Sequence, residues 1–406
     1  MTAVADSSKN TTKRATGPVV DFADLMQCPV ARKPFEHFDK IDELRETDDI
    51  HFGDASGHPF WAVTAMEPIR EALQNPQLFS STAVLPDTPE PPYLWIPEML
   101  DAPKHNKWRK LLGPLFSPGA VEALEPKIRE RFGVIIDEVA PRGECDFVQD
   151  VALKFPNQIF MDIMGMPITD ADQFQEWETA ILHEGSSASG RALEAMGGVH
   201  AYFTDVIAQR REDPRSDIIS KALSWTIDGE PISNDDMMAF CLLMFMAGLD
   251  TVATQLTYSF QHLATHDEDR RRINEDPSLI GPAMEEFMRY YAFVTPGRKV
   301  MQDTCLAGVD VKAGEMVWLP IVAANRDEGE FPNANEVIID RAENRHIAFG
   351  AGPHRCLGAH LARLEMNVAM EEWHKRVPNY RIDTSIPIRE HGGQIGLSNL
   401  PLVWDV

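Results

Sequence analysis

Apolar residues recur at helical spacing along much of the chain, and the clearest example lies near its end. Leu361, Leu364, Val368 and Trp373 fall roughly one helical turn apart, which predicts a helix from Ala359 to Val377. Residues 119–230 are also rich in helical patterns. A near-continuous apolar run, Met237–Leu249, predicts a buried helix that continues to about His266, and the run itself is too short to span a membrane.

Other stretches follow different patterns. His51–Val63 reads as a β-hairpin that turns at Asp54-Ala55-Ser56-Gly57. Residues 81–97 contain five prolines together with Val84, Tyr93 and Trp95, so they cannot form a long helix. Apolar and aromatic side chains on an irregular segment suit the wall of a pocket, and a packed surface loop is an equally good interpretation.

Composition limits the class of protein. The 406 residues are 44% hydrophobic, which is ample for a large core, and the net charge of −25 argues against nucleic acid and anionic membrane surfaces as partners. The five cysteines are far apart and form no CxxC pair, which suits a reducing cytoplasm. Met1–Gly17 is polar without an apolar core, so we expect a disordered N-terminus, no membrane anchor, and one domain over residues 18–406.

The residues before the final helix carry the main candidate chemistry. Phe349–Gly358 contains glycines and a proline that forbid a regular element and present Cys356 where the helix begins. Unpaired N–H groups and the positive end of the helix dipole favour a thiolate there. A lone thiolate suits an axial ligand of haem iron, and the alternative is a buried structural cysteine.

The predicted central helix contains a local conflict. Ala247-Gly248-Leu249-Asp250-Thr251 places a glycine inside a buried helix, at a cost of about 1 kcal/mol. Such a conflict between local preference and global pattern often indicates a functional site. The alternative is a bent core helix whose threonine bonds back to the preceding turn.

Two further pairs lie one helical turn apart. His105 and Arg109 follow Pro103 on a predicted helix, share a face and could clamp one carboxylate. Glu286 and Arg289 share a face of another helix. The alternatives are a solvated basic face for the first pair and an ordinary surface ion pair for the second.

Together these motifs resemble those of the cytochromes P-450, the haem-thiolate monooxygenases. Phe349, Gly352, Cys356 and Gly358 match the haem-binding signature, Ala247–Thr251 the oxygen-activation motif, and Glu286-x-x-Arg289 the structural pair of the family. The resemblance runs from about residue 40 to 406 and is strongest to the soluble bacterial class typified by camphor hydroxylase. It implies a mainly α fold with small β-sheets, in which one domain holds haem b (iron protoporphyrin IX) between two central helices.

The resemblance also implies roles for individual residues. Cys356 would ligate the iron, and Asp250 and Thr251 would deliver protons as the catalytic pair. The residues implied to contact the cofactor are His105, Arg109, Ala247, Gly248, Arg298, Phe349, Gly350, His354 and Gly358. Those implied to line the substrate pocket are Val84, Tyr93, Trp95, Leu243, Met246, Val294 and Ile395. Glu336 stands where many relatives carry an arginine that completes the Glu-x-x-Arg network, so a third basic member is open.

The implied reaction inserts one atom of O2 into a small, hydrophobic, terpenoid-like substrate in a cytoplasmic monomer. Because the chain has no flavin or iron–sulfur segment, a separate 2Fe–2S ferredoxin with its NAD(P)H-dependent reductase would supply electrons. The basic side chains expected to dock it, unless they are merely solvated charges, are Lys104, Lys107, Arg109, Lys110, Arg341, Arg345 and Arg355. A peroxide-driven haem-thiolate peroxygenase and a non-catalytic haem sensor remain as alternatives.

Overall fold

The computed structural model describes residues 19–26, 32–55, 57–183, 190–391 and 395–406. The predicted disordered N-terminus, Cys28, most of the loop around residues 186–190 and the Gly392-Gly393 turn lie outside the described residues. Every described cysteine is a free thiol.

Helices dominate the fold, as expected. In chain order they are α1 Ala23–Met26, α2 Glu36–Arg45, α3 Met66–Gln74, α4 Lys104–Leu112, α5 Pro118–Glu122, α6 Glu125–Val139, α7 Lys154–Met164, α8 Ala171–Glu178, α9 Gly190–Glu212, α10 Ile218–Leu223, α11 Asn234–Gly248, α12 Asp250–Thr265, α13 Asp267–Glu275, α14 Ile280–Tyr290, α15 Ile321–Asn325 and α16 Ala359–Arg376. Two π-helical segments, Val148–Ala152 and Thr179–His183, interrupt this pattern.

The strands form small sheets at the edge of the helical body. They are β1 Val20–Asp21, β2 Ile50–Ala55, β3 His58–Val63, β4 Phe79–Ser80, β5 Glu144–Asp146, β6 Thr226–Ile227, β7 Glu230–Pro231, β8 Gly297–Val300, β9 Thr304–Leu306, β10 Val309–Val311, β11 Met316–Trp318, β12 Arg381–Ile382, β13 Glu390–His391, β14 Gly396–Leu397 and β15 Pro401–Val403. The largest sheet has the order β1-β2-β3-β11-β8-β4, and β12-β15-β5 form a second one. The predicted hairpin is β2–β3, in which the side chain of Asp54 accepts a 2.7 Å hydrogen bond from the N–H of Gly57.

The centre of the fold is α12, which is buried along almost its whole length. Two of its hydroxyl groups are satisfied within the helix: Thr257 donates to the carbonyl of Ala253 and Ser259 to that of Gln255, each at 2.8 Å. By length and composition alone, Asn234–Thr265 could cross a membrane, but 56% of its most apolar window is buried inside the protein. The stretch is therefore a core element, as the apolar run predicted.

The capping of α11 follows from its sequence. The Ser233 side chain accepts a 3.0 Å hydrogen bond from the backbone N–H of Asp236, and acidic residues occupy the first turn. At its other end α11 stops at Gly248, and α12 begins only after Leu249. The predicted long helix is thus two helices with a break between them.

Candidate active site

Cys356 is presented by a glycine-dependent loop. A short 3-10 turn, Gly352–His354, precedes the cysteine. The backbone N–H of Cys356 donates a 2.8 Å hydrogen bond to the carbonyl of Phe349. Gly350 and Gly352 both have φ +71°, a conformation that side-chain-bearing residues rarely adopt. A Cβ on Gly352 would also collide with the carbonyl oxygen of Leu73 at the end of α3. The predicted loop and the helix behind it, Ala359–Arg376, are confirmed.

Cys356 is an exposed residue, but the surrounding protein partly excludes water from its thiol. This burial raises the pKa of the thiol. The N–H of Gly358 acts in the expected direction and lowers this pKa, as do Arg109 and Arg355, but burial outweighs them. The expected effect of the helix N-terminus is therefore present, although burial outweighs it in these surroundings. Metal coordination would deprotonate such a thiol outright.

Four predicted basic residues meet beside this loop, and we call His105, Arg109, Arg298 and His354 the cationic cluster. The imidazole rings of His105 and His354 stack with centroids 3.9 Å apart, and Arg109 Nη2 donates to the carbonyl of Arg355 at 2.8 Å. Arg298 is only 3% exposed, and its Nη1 donates to the adjacent carbonyl of Gly297 at 2.7 Å. Within the described part of the chain it forms no ion pair.

No member of the cationic cluster forms an ion pair among the described residues, although the nearby carboxyl groups of Glu98 and Asp101 act to raise the pKa of Arg298. Burial lowers the pKa of Arg298, and burial together with repulsion from His105, Arg298 and Arg109 lowers the pKa of His354 to about 3. Among the described residues, the buried Nδ1 atom of His354 has no hydrogen-bond partner. Buried cationic donors are stable only when paired, so this cluster fits the two propionates of a haem whose iron Cys356 would ligate.

Glu98 joins this region and was missed by sequence analysis. Burial raises the pKa of its carboxyl group, while the charges of Arg298 and Arg109 oppose that rise. Sequence analysis could have noticed Glu98 as an acidic residue that lies between the aromatic pair Tyr93 and Trp95 and helix α4. Because its carboxyl group faces the cationic cluster, Glu98 has to remain protonated if propionates bind there.

The break between α11 and α12 is the second part of the site. Ala247 is exposed although it lies in a core helix, and the hydroxyl of Thr251 donates to its carbonyl at 3.0 Å. A Cβ on Gly248 would lie 3.1 Å from the ring of Phe160, so the glycine allows close packing on α7. The local opening expected here is present, and so is the back-bonding threonine of the alternative interpretation.

Asp250 lies on the buried side of the same break. Its Oδ1 is 2.7 Å from Nε2 of His183, and Thr254 Oγ1 donates to its Oδ2 at 3.3 Å. Burial, the largest single effect, would raise the pKa of this carboxyl group, but pairing with His183, the nearby His391 and Thr254 holds it below its usual value. No pattern in the sequence indicated His183, which comes from the π-helical segment after α8.

The predicted substrate-lining residues lie on several elements. The rings of Tyr93 and Trp95 stack at 4.8 Å on the irregular segment between β4 and α4, and burial raises the pKa of Tyr93 to about 12. Leu243 and Met246 are half-buried on α11, Val294 is 40% exposed, and Val84 and Ile395 are buried. The carbonyl of Val84 accepts a 2.6 Å hydrogen bond from Gly297, which ties the proline-rich segment to the strand of Arg298.

Behind the cysteine loop lies a second buried charged group, the brace cluster of Glu286, Arg289, Arg341 and Asn344. Arg289 binds both oxygens of Glu286 at 2.8 Å, and its remaining N–H groups bind backbone carbonyls. Arg341 Nε lies 3.0 Å from Glu286 Oε2. The open question of a third basic member is answered by Arg341, while Glu336 contributes only its backbone carbonyl.

The structure also corrects the predicted docking surface. Arg341 cannot belong to it, because its side chain is 7% exposed and committed to Glu286. Lys107 is paired with Asp228, and Arg109 is half-buried against the cysteine loop. Lys104, Lys110, Arg345 and Arg355 are exposed.

Comparisons with known proteins agree with this geometry. A family model described as Cytochrome P450 matches residues 30–373. The protein "Probable cytochrome P450 127A1" of Sinorhizobium fredii is 34% identical over 351 residues, covering 86% of this chain and 84% of that protein. The vitamin D(3) 25-hydroxylase of Pseudonocardia autotrophica is 32% identical, covering 85% of this chain and 88% of that protein.

The fold has solved counterparts as well. The crystal structure of CYP101J2 matches with a TM-score of 0.86 and 28% identity, covering 99% of this chain and 100% of that one. The likeness therefore extends over the helical body, the small sheets and the cysteine loop together.

Proposed function

This chain belongs to the cytochrome P450 family, and from that premise we propose that this monooxygenase oxidises a compact, hydrophobic, terpenoid-like substrate with electrons from a separate 2Fe–2S ferredoxin. The observation that supports the site most directly is the cationic cluster, which lies beside the thiol of Cys356 without an ion pair among the described residues. When bound, haem b supplies the activation of O2 from which one atom is inserted into the substrate.

The residues of this chain would hold and insulate that group. Cys356 would ligate the iron through its sulfur, and the cationic cluster would neutralise the propionates. Phe349, Gly350 and Gly358 would border the cysteine side, and Ala247 and Gly248 the opposite one. Because Ala247 and Gly248 carry little side-chain volume, they leave room beside the Thr251 hydroxyl.

Asp250 and Thr251 are proposed to hold and move protons. The Thr251 hydroxyl donates to the carbonyl of Ala247, so its oxygen can still accept a hydrogen bond from water in the site. Asp250 is ionised and buried, so its carboxylate can accept a proton before that proton reaches the Thr251 side of the site. A carboxylate and a hydroxyl at consecutive positions could pass protons inward without admitting bulk water.

The proposed substrate class follows from the lining residues. Val84, Leu243, Met246, Val294 and Ile395 offer apolar surface, and Tyr93 keeps its phenolic proton at physiological pH because burial raises its pKa to about 12. A molecule held mainly by apolar contact and by one hydrogen bond suits this set. Relatives named for vitamin D(3) and steroid oxidation show that hydrophobic substrates are common in the family.

A spin-state titration of the ferric protein tests the substrate class. We expect compact terpenoids to shift the iron from low to high spin with tighter dissociation constants than steroids, macrolides or fatty acids. Turnover with NAD(P)H, reductase and ferredoxin should then give hydroxylated product. A shift only with steroids or macrolides would contradict the terpenoid proposal, and product formed with peroxide but not with ferredoxin would contradict the electron source.

Tyr93→Phe provides the matched control for the proposed hydrogen bond. Removing one neutral hydrogen bond should weaken binding of an oxygenated terpenoid by about 2- to 10-fold. A hydrocarbon terpenoid of the same size should bind both forms equally. Equal losses for both ligands would mean that Tyr93 contributes packing only.

The docking of ferredoxin is proposed to depend on the exposed charges of Lys104, Lys110, Arg345 and Arg355. Lys110→Glu should slow reduction at low ionic strength and much less at high ionic strength, because salt screens exposed charges. Lys375→Glu is the control: that exposed side chain lies near the other end of α16, about 24 Å from Ala359 along the helix axis. Equal effects of both changes would mean that net charge, not a local surface, controls docking.

We also propose that the enzyme is a cytoplasmic monomer. The widely separated cysteines, free wherever the structure describes them, and the acidic composition support a reducing, aqueous compartment. Sedimentation of the haem-loaded protein would test the monomer directly.

A further inference from the structure

Asp250 belongs to a buried set of ionisable side chains for which the sequence motif gives no reason. We call Glu178, His183, Asp250, Thr254 and His391 the acid–histidine cluster. Its members come from α8, from the π-helical segment Thr179–His183, from α12 and from β13. Three separate elements therefore bring titratable groups to the Asp250 carboxylate on α12, and Thr254 adds a hydroxyl from α12 itself.

The contacts within this cluster are close. Asp250 Oδ1 lies 2.7 Å from His183 Nε2, and the rings of His183 and His391 stack with centroids 4.0 Å apart. Gly396 makes room for His391, since a Cβ there would lie 2.8 Å from His391 Nε2 and 3.1 Å from Thr254 Oγ1. The side chain of His183 is 11% exposed and that of Asp250 is 1% exposed, so the histidine is the outer member of the pair.

The two carboxyl groups of the acid–histidine cluster differ in charge. Glu178 is fully buried, and neither of its carboxyl oxygens has a hydrogen-bond partner among the described residues. Burial, and then the charge of Asp250, raises the pKa of Glu178 well above its usual value, so it keeps its proton while Asp250 is ionised. One charged carboxylate therefore faces one imidazole that can carry the opposite charge.

Other titratable groups lie nearby and must be separated from His183. Glu390 precedes His391 on β13, and burial raises its pKa to about 7 despite hydrogen bonds from the N–H of Phe35 and from Tyr258. Tyr258 on α12 feels the charges of Glu390 and Asp250, and its hydroxyl stays protonated. Arg32 adds a positive charge next to Glu390.

We propose that His183 is a positioning residue for Asp250, which holds the buried carboxylate through its 2.7 Å hydrogen bond and returns a proton to it after each delivery to the active site. This inference rests on the proposed function and deepens it by identifying where the protons of the Asp250–Thr251 pair come from. Histidine suits the role because it is the side chain whose charge ordinarily changes near neutral pH.

The proposed steps conserve protons and involve no change of oxidation state. The charged imidazole of His183 breaks its Nε2–H bond, and that proton forms an O–H bond on Oδ1 of the ionised Asp250. The carboxyl group of Asp250 then breaks this O–H bond and passes the proton to water on the Thr251 side of the break, which restores the carboxylate. The neutral imidazole finally takes one proton from solvent, which restores the starting state.

The first experiment measures product formed per NAD(P)H consumed in the holoenzyme from about pH 5.5 to 8.5, across the usual range of histidine. We expect the wild-type ratio to fall as pH rises. His183→Gln, which retains an N–H donor but cannot titrate, should lower the ratio by about tenfold and flatten its pH dependence. That loss is smaller than the ~100-fold of a direct proton donor, because water can partly replace an indirect one.

Two variants make this result decisive. His183→Arg keeps a positive charge beside Asp250 but cannot return a proton, so it should also give a flat profile. Glu390→Gln removes the neighbouring carboxyl group and should keep the wild-type pH dependence. A His183→Gln or His183→Arg enzyme with the wild-type ratio and profile would overturn the proposal, and so would a flat profile in Glu390→Gln.

A second readout does not depend on turnover. Histidine ring NMR signals of the diamagnetic ferrous–CO protein report the environment of His183, and the signal lost in His183→Gln assigns it. Replacing Asp250 with Asn removes the carboxylate 2.7 Å from Nε2 of His183, so the ring signals of His183 should shift at a fixed pH. Unchanged signals would overturn the pair, whereas shifted signals in a protein that lacks monooxygenase activity would place the failure in the proposed function.

Discussion

The brace cluster and the cationic cluster are both buried, both rich in arginine and both close to the cysteine loop, yet they differ in how their charges are satisfied. In the brace cluster all five N–H groups of Arg289 have acceptors, and Glu286 receives further hydrogen bonds from Arg341, Asn344 and the backbone of Ile338. In the cationic cluster Arg298 binds only its neighbouring carbonyl, and the Nδ1 atom of His354 binds nothing among the described residues.

This difference separates structure from function. A buried charge that is completely paired can hold a loop in place without any ligand. Buried cationic donors that lack an anion are costly, so a fold that retains them fits a protein that binds one. The two clusters thus assign opposite tasks to similar residues, and substitutions can test that assignment.

The largest effect is expected at Cys356. Cys356→His keeps a side chain able to bind iron but removes the thiolate, whose electron donation favours cleavage of the O–O bond. We expect monooxygenation to fall to background while both clusters stay intact. The reduced CO spectrum should lose its thiolate signature, and normal product formation would refute the ligand assignment.

Glu286→Gln should give the next largest effect. The change leaves Arg289 and Arg341 buried without a counter-charge, and breaking a buried pair in this way costs about 3–5 kcal/mol of unfolding free energy. Urea denaturation of the holoenzyme measures the loss.

The matched control for that change is Glu343→Gln. Glu343 is exposed, and surface substitutions of this kind change stability by only about 0.5 kcal/mol. Equal losses of unfolding free energy for Glu286→Gln and Glu343→Gln would mean that the brace cluster stabilises the protein no more than an exposed carboxylate does.

The sequence predicted a good part of this comparison. Helical periodicity located α16 and the core stretch of α11 and α12, because apolar spacing responds directly to burial. The local conflict at Gly248–Thr251 located the helix break, because a glycine beside an Asp-Thr pair is unfavourable in an unbroken helix. The members of the cationic cluster were predicted from the resemblance to the P450 family, and the structure places them beside one another.

What the sequence missed has a common cause. Arg341 meets Glu286 across 55 residues of chain, and His183 meets Asp250 across 67. Composition and spacing show that such residues are polar, but not which distant oxygen each one reaches. The raised pKa of Cys356 was missed for a related reason, since burial by the whole fold outweighs the local effect of the helix N-terminus.

Arg298→Met should separate the two clusters most sharply. This side chain has no ion pair in the described structure, so its loss should not lower the stability of the haem-free protein, unlike the loss of Glu286. One charge-assisted hydrogen bond to a propionate contributes about 1.5–3 kcal/mol, so haem should be lost at least about tenfold faster. Haem transfer to apomyoglobin and denaturation of both forms measure this, and a stability loss equal to that of Glu286→Gln would remove the contrast.

The smallest effect is expected at Glu285, where a partly exposed network links α14 to the cysteine loop. Arg363 Nη2 donates to Glu285 at 2.9 Å and stacks on Phe349, and His346 lies 3.0 Å from the same carboxylate. Although burial, the largest single effect, would raise the pKa of Glu285, these hydrogen bonds hold it at about 2, below the ordinary value of 4.5. Its contribution to stability is therefore complete above pH 4.5 and is lost as the pH falls towards 2.

Solvent screening reduces that contribution to about 1–2 kcal/mol, because the side chain is one-third exposed. Glu285→Gln should lower the melting temperature at neutral pH and should weaken its decline between pH 4.5 and pH 2. If the variant kept the full wild-type decline, other carboxylates would account for the acid sensitivity. The cysteine loop would then depend on the fully buried brace cluster alone, so that pairing in the dry interior, rather than the number of ion pairs, holds the loop in position.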